Sequence, residues 1–324
     1  MVFLMFVPFM LIAIVANLTE RNRQYRWITH GLLILSNLLV LFSALVVLLM
    51  WLALGISEMP RDVLPIEPNW TMTAVVLGLT GLLSFLPLIR GVRRFLARWL
   101  NMDPDSTVHT TALVFAAYLV GLTLMQLPLV GGLEGLEQLD ASLGQSELWQ
   151  QTLALLGMAL IGVGLGLRRS VGETAARLGV RWPSWPTWLG VIGLVILLQA
   201  LDFGVSIGWQ ALDPASYERI GRISNSLFGG FMSPWGALAL GVAAGLGEET
   251  LFRGALQPRF GLLLTSLLFA VIHIQYGFLS PATLVIFIIG LTFGWLRQRS
   301  GLIACIAAHA LYNVLNLLLA SLWP

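Results

Sequence analysis

The chain has 324 residues, 57% of them hydrophobic and only 10% charged, with a mean hydropathy of +0.85. Ordinary soluble domains carry about 25% charged residues, so water is excluded as the main solvent. The net charge of +2 is too small for a nucleic-acid partner, and the single Cys305, inside an apolar run, excludes an internal disulfide framework.

A bilayer-spanning helix needs roughly 20 mostly apolar residues. Apolar runs near 1–18, 28–55, 72–90, 110–130, 152–167, 187–209, 233–252, 262–280, 282–296 and 302–322 therefore predict an all-α, polytopic integral membrane helix bundle with about ten transmembrane helices. The first run has no positive segment before it and is followed by Arg21, Arg23 and Arg26, which reads as a retained helix rather than a cleaved signal peptide.

Every basic residue is an arginine, and most follow odd-numbered spans: Arg21, Arg23 and Arg26; Arg90, Arg93, Arg94 and Arg98; Arg168, Arg169, Arg177 and Arg181; Arg253 and Arg259; Arg297 and Arg299. The positive-inside rule makes those connections cytoplasmic. The opposite connections hold Glu58, Asp62, Glu67, Glu134, Glu137, Asp140, Glu147, Asp213 and Glu218, with Arg61, Arg219 and Arg222 the basic residues among them. Both termini are then expected on the non-cytoplasmic side of a cell membrane.

Between the fifth and sixth runs, RRSVGETAARLGVRWPSWP mixes arginines with apolar residues at helical spacing, as in an interfacial amphipathic helix. It divides the chain into N-terminal helices at 1–167, a linker at 168–186 and a C-terminal bundle at 187–324. Three pairs of small residues four apart, Gly204/Gly208, Gly241/Gly245 and Gly290/Gly294, read as sites of close helix packing.

Ionisable groups inside a span are costly and point to function. In the C-terminal bundle, Glu248, Glu249 and Arg253 end the seventh run. Glu249 and Arg253 stand four apart and about 40° around a helix, close enough to pair, whereas Glu248 lies about 100° from Glu249 and is free to point into the bundle. A carboxylate so placed suits a general base. In the eighth run Phe269 and His273 share a helical face, as do His309 and Asn313 in the tenth. Counting along three separate helices puts Glu248, His309 and His273 roughly 6, 10 and 16 Å inside the cytoplasmic boundary, so that they can meet in that half of the membrane. Each polar residue taken alone also reads as interhelical hydrogen-bond glue. Asp202, His30 and His109 read as structural or interfacial.

The order Glu248-Glu249-x-x-x-Arg253, Phe269-x-x-x-His273 and His309-x-x-x-Asn313 resembles the three motifs of the CAAX prenyl protease and bacteriocin-processing (CPBP, Abi) family of intramembrane endopeptidases, over roughly residues 185–324. That resemblance implies an intramembrane protease domain in which Glu248 with His273 activates a water and His309 with Asn313 stabilises an oxyanion, supported by Glu249, Arg253 and Phe269. It implies a peptide or protein substrate, lipidated or not, presented in membrane lipid near the cytoplasmic face. No cofactor is favoured; the alternative is a divalent metal such as zinc on Glu248, His273 and His309, although the His-Glu-x-x-His helix of zinc proteases is absent. Two further readings are a catalytically silent scaffold or sensor and, ranked last, a transporter, which would show inverted repeats and broken helices.

Overall fold

The computed structural model describes residues 2–19, 21–56, 66–139 and 141–322, and its named elements are all helical. In chain order they are α1 (Val2–Leu18), α2 (Gln24–Ile56), α3 (Trp70–Leu83), α4 (Arg90–Leu96), α5 (Thr107–Leu129), α6 (Gly132–Gln138), α7 (Gln145–Val163), α8 (Val171–Leu178), α9 (Trp185–Leu212), α10 (Pro214–Phe228), α11 (Pro234–Glu249), α12 (Gln257–Val271), α13 (Pro281–Ser300) and α14 (Leu302–Leu322). Glu58, Arg61, Asp62 and Asp140 lie outside the described residues.

Among the described residues, seven helical segments are long and apolar enough to cross a membrane, so the chain is a multi-pass membrane protein. The ten predicted runs differ from these seven in three places. Helix α1 has only 17 residues. Helix α7 opens on Gln145, Ser146, Glu147, Gln150 and Gln151, so its apolar stretch is shorter than the helix. The predicted seventh and eighth spans fall in one continuous segment, Pro234–Val271.

That segment is a hairpin and not a rod. In a straight helix Phe252 and Phe269 would stand about 25 Å apart, yet their ring centroids are 5.5 Å apart. The chain turns back at Gly261, whose φ of 77° and ψ of 171° belong to a region that a Cβ makes costly. A π-helical stretch, Thr250–Leu256, leads into the turn.

Close approach holds the second bundle together. A Cβ on Gly245 would lie 2.8 Å from the Ile306 carbonyl, and one on Gly241 would lie 2.6 Å from that of Ala310, so α11 rests on the backbone of α14. Gly290 meets Ser266, and Gly294 meets Leu262 and Gln257, in the same way. Around Gly204 and Gly208 the space is open, so this third pair is not a packing contact. In lipid such van der Waals contact replaces the hydrophobic effect as the associating force. Gly245→Val is therefore expected to lower the detergent melting temperature by several degrees and to impair any activity that needs α11 against α14; an unchanged melting curve would contradict this packing.

The two ends of the bundle differ. At one end Arg177 donates to the carbonyls of Gly254 and Ala255, both at 3.1 Å, and Arg181 donates to that of Arg299 at 2.6 Å, so α8 is tied to the turn of the hairpin and to the end of α13. At the other end Arg219 and Arg222 of α10 pair with Glu134 and Glu137 of α6. In the N-terminal helices, Asn17 donates to the Ile161 carbonyl at 2.9 Å, joining α1 to α7, and Tyr118 joins Ser36 and Asn37 of α2 to α5.

Candidate active site

The three motifs converge. Glu249 is fully buried and its Oε2 lies 3.4 Å from Nε of the equally buried Arg253, one helical turn on. This is the pair predicted from spacing. The structure adds a second partner: Glu249 Oε1 is 2.9 Å from Nδ1 of His309 on α14. Arg253 lies over the Phe269 ring at 4.6 Å, a cation–π contact that gains from the absence of water. The edge of the same ring meets His309, at 5.9 Å between centroids, and His273 is tilted against it at 4.8 Å. Phe269 is thus the platform on which three polar groups are set.

His273 lies just past the end of α12, with φ −98° and ψ 37°, and not on the helix as predicted. Its Nδ1 is 2.7 Å from the Phe269 carbonyl, one turn back. A carbonyl only accepts, so Nδ1 carries the proton and Nε2 presents a lone pair. Nε2 stands 3.9 Å from Oε2 of Glu248. That oxygen is buried and has no hydrogen-bond partner in the protein, so two acceptors face one another across a gap too long for a direct hydrogen bond. Neither side chain is closed off: His273 keeps 19% and Glu248 14% of its side-chain exposure.

The exposure comes from a cavity of about 2090 Å³ whose inner wall carries Glu248, His273, His309 and Asn313. Asn313 makes no side-chain hydrogen bond and is half-buried in that wall. The rim carries the exposed Gln210, Glu218, Arg222 and Asn225, so the cavity opens at the end of the bundle away from the arginine-rich connections.

Several lining residues were not singled out from the sequence. Gln126 on α5 and Gln151 and Thr152 on α7 face the cavity, so helices of the N-terminal segment help to wall it. Thr152 also donates to the Ala243 carbonyl at 3.2 Å. Asp202 on α9 accepts from the Tyr312 hydroxyl at 2.9 Å and from Asn316 Nδ2 at 3.1 Å. From the sequence Asp202 reads as structural or interfacial, and a carboxylate inside an apolar run is costly wherever it stands.

His30 and His109 are outside the cavity. His30 Nδ1 meets the Arg26 carbonyl and His109 Nδ1 accepts from the Asp103 N–H. Among the described residues no three His, Cys, Asp or Glu side chains are grouped to hold an ion.

Comparison with curated proteins and with solved structures gave no match. Residues 230–315 match the family described as type II CAAX prenyl endopeptidase, Rce1-like. That range contains every residue of the three motifs and excludes Asp202 and Asn316. With the motifs gathered on one cavity wall, residues 230–315 are similar to the Rce1-like type II CAAX prenyl endopeptidases.

Proposed function

We propose that the protein is an intramembrane endopeptidase whose nucleophile is a water held between Glu248 and His273. The observation that carries this is the 3.9 Å gap between Glu248 Oε2 and His273 Nε2, two acceptors beside an open cavity. A water at about 2.8 Å from each completes both hydrogen bonds. Glu248 takes one of its protons as the oxygen attacks the peptide carbonyl carbon, and returns it to the amine as the C–N bond breaks.

The negative charge that develops on the carbonyl oxygen is met by the Asn313 amide N–H and by His309 Nε2. Donation from Nε2 requires a doubly protonated ring, because Nδ1 is committed to Glu249, and that carboxylate is the counter-charge of the imidazolium form. Glu249 and Arg253 are positioning residues here, acting through His309 and Phe269. No step needs a metal.

The arginine-rich connections make the motif end of the bundle cytoplasmic on the positive-inside reading. The cavity then opens away from the cytoplasm, so a substrate reaches Glu248 through that mouth or between helices. Its chemistry is that of a peptide lying in lipid, with or without an attached lipid chain.

The test is cleavage of membrane-tethered peptides by the purified, detergent-solubilised protein, with and without a strong chelator. Cleavage that survives chelation supports the water–glutamate route; loss with chelator and recovery on adding zinc would replace it by a metal route; no cleavage of any peptide favours the scaffold. His273→Ala is expected to lower kcat about 100-fold or more, the usual range for a residue in general acid–base catalysis, with the melting curve little changed.

A further inference from the structure

The catalytic proposal leaves one buried titratable group in the cavity unused. Asp202 stands mid-helix on α9, is half-buried, and lines the same cavity as Glu248. Both donors to it, Tyr312 and Asn316, bind a single oxygen, Oδ2. Oδ1 receives no hydrogen bond from the protein.

Charge in the cavity is one-sided. Among the described residues, the carboxylates that line it are Asp202, Glu218 and Glu248, and the one arginine is Arg222. Arg222 sits at the rim, exposed, and already pairs with Glu137 at 2.5 Å and with Glu218 at 3.7 Å. Arg253 is spent on Glu249 behind the wall. A half-open, low-dielectric cleft lined by carboxylates focuses a negative potential inward. An intramembrane carboxylate is stabilised by a partner, and among the described residues Arg222 pairs with Glu137 and Glu218 and His309 with Glu249, which leaves Asp202 without a paired cation.

Spacing fixes where that partner would come from. Tyr312 and Asn316 follow His309 by three and seven residues on α14, about 4.5 and 10.5 Å along the helix towards the cavity mouth. An extended peptide covers that distance in about two or three residues.

We propose that Asp202, Tyr312 and Asn316 form a second subsite, which takes a basic side chain of the substrate about two or three residues from the scissile bond. The subsite rests on the peptidase reading for its purpose but not for its chemistry. Oδ1 of Asp202 accepts from the ammonium or guanidinium, while Tyr312 and Asn316 hold the carboxylate in place through Oδ2. The family match covers residues 230–315, which include Tyr312 but not Asp202 or Asn316.

The probes are three sets of fluorescent, membrane-tethered peptides carrying lysine, norleucine or acetyl-lysine at the second or third residue on either side of the central bond. Binding is measured on Glu248→Gln, which needs no catalysis, and cleavage is measured on the wild type. Lysine at one of these positions is expected to bind at least 10-fold more tightly than norleucine or acetyl-lysine. Adding Asp202→Asn to Glu248→Gln should bring that ratio to about one, and Asp202→Glu should restore most of it.

Equal binding of all three peptides overturns the subsite, as does a lysine preference that survives Asp202→Asn. The acetyl-lysine comparison is made with Asp202 intact, so it decides the charge requirement even if Asp202→Asn does not fold. A lysine preference in binding without cleavage by the wild type would leave the subsite standing and remove the peptidase reading.

Discussion

Glu248→Gln is expected to abolish peptide cleavage, lowering kcat by about 1000-fold, within the range for loss of a general base. The substitution keeps the shape of the side chain and replaces one carboxylate oxygen by an amide that cannot take a proton. Among the described residues Glu248 has no ion-pair partner other than His273 at 3.9 Å, so little structural cost accompanies the change, and the melting curve should follow the wild type. A peptide's KM should change far less than kcat, because the water and not the peptide contacts Glu248. Glu248→Gln protein that cleaves at more than about a tenth of the wild-type rate would remove Glu248 from the role of base, since a tenfold loss falls below the usual effect of such a residue.

The sequence made the site legible because charge is scarce in it. Against an apolar background the motif residues stood out one by one, and helical spacing assigned Glu249 to Arg253 before any contact was known. The same spacing could not show that Glu249 also meets His309, because that contact joins residues 60 apart on two helices. It also placed His273 on a helix that ends two residues earlier, at Val271. One short polar departure from helical geometry has no signature in hydrophobic periodicity.

Asp202 shows a different limit. It reads as structural or interfacial, but spacing could not name its partners, which lie more than a hundred residues away on α14. The span count failed for a third reason: length and hydropathy see Pro234–Val271 as one segment, and only the φ of Gly261 and the contact of Phe252 with Phe269 reveal that it folds back. The cavity mouth could not be read at all, since it is made by the ends of α5, α9, α10 and α14 together.

Glu249→Ala is expected to be the most destabilising single change at the site, by about 3–5 kcal/mol, because it strands a fully buried guanidinium. Among the described residues Arg253 pairs with no other carboxylate and would keep the Phe269 face. Loss of activity in this variant would therefore be ambiguous between unfolding and a mispositioned His309. The double variant Glu249→Leu/Arg253→Met separates the two. Replacing both charges by apolar groups of similar size removes the uncompensated charge and should recover most of the stability. It cannot restore the hydrogen bond on His309 Nδ1, so the ring loses both its orientation and its counter-charge. Detergent melting near the wild-type temperature together with kcat still depressed about 100-fold is the expected result. Recovery of stability and cleavage together would show that Glu249 serves only Arg253 and that His309 needs no partner to act.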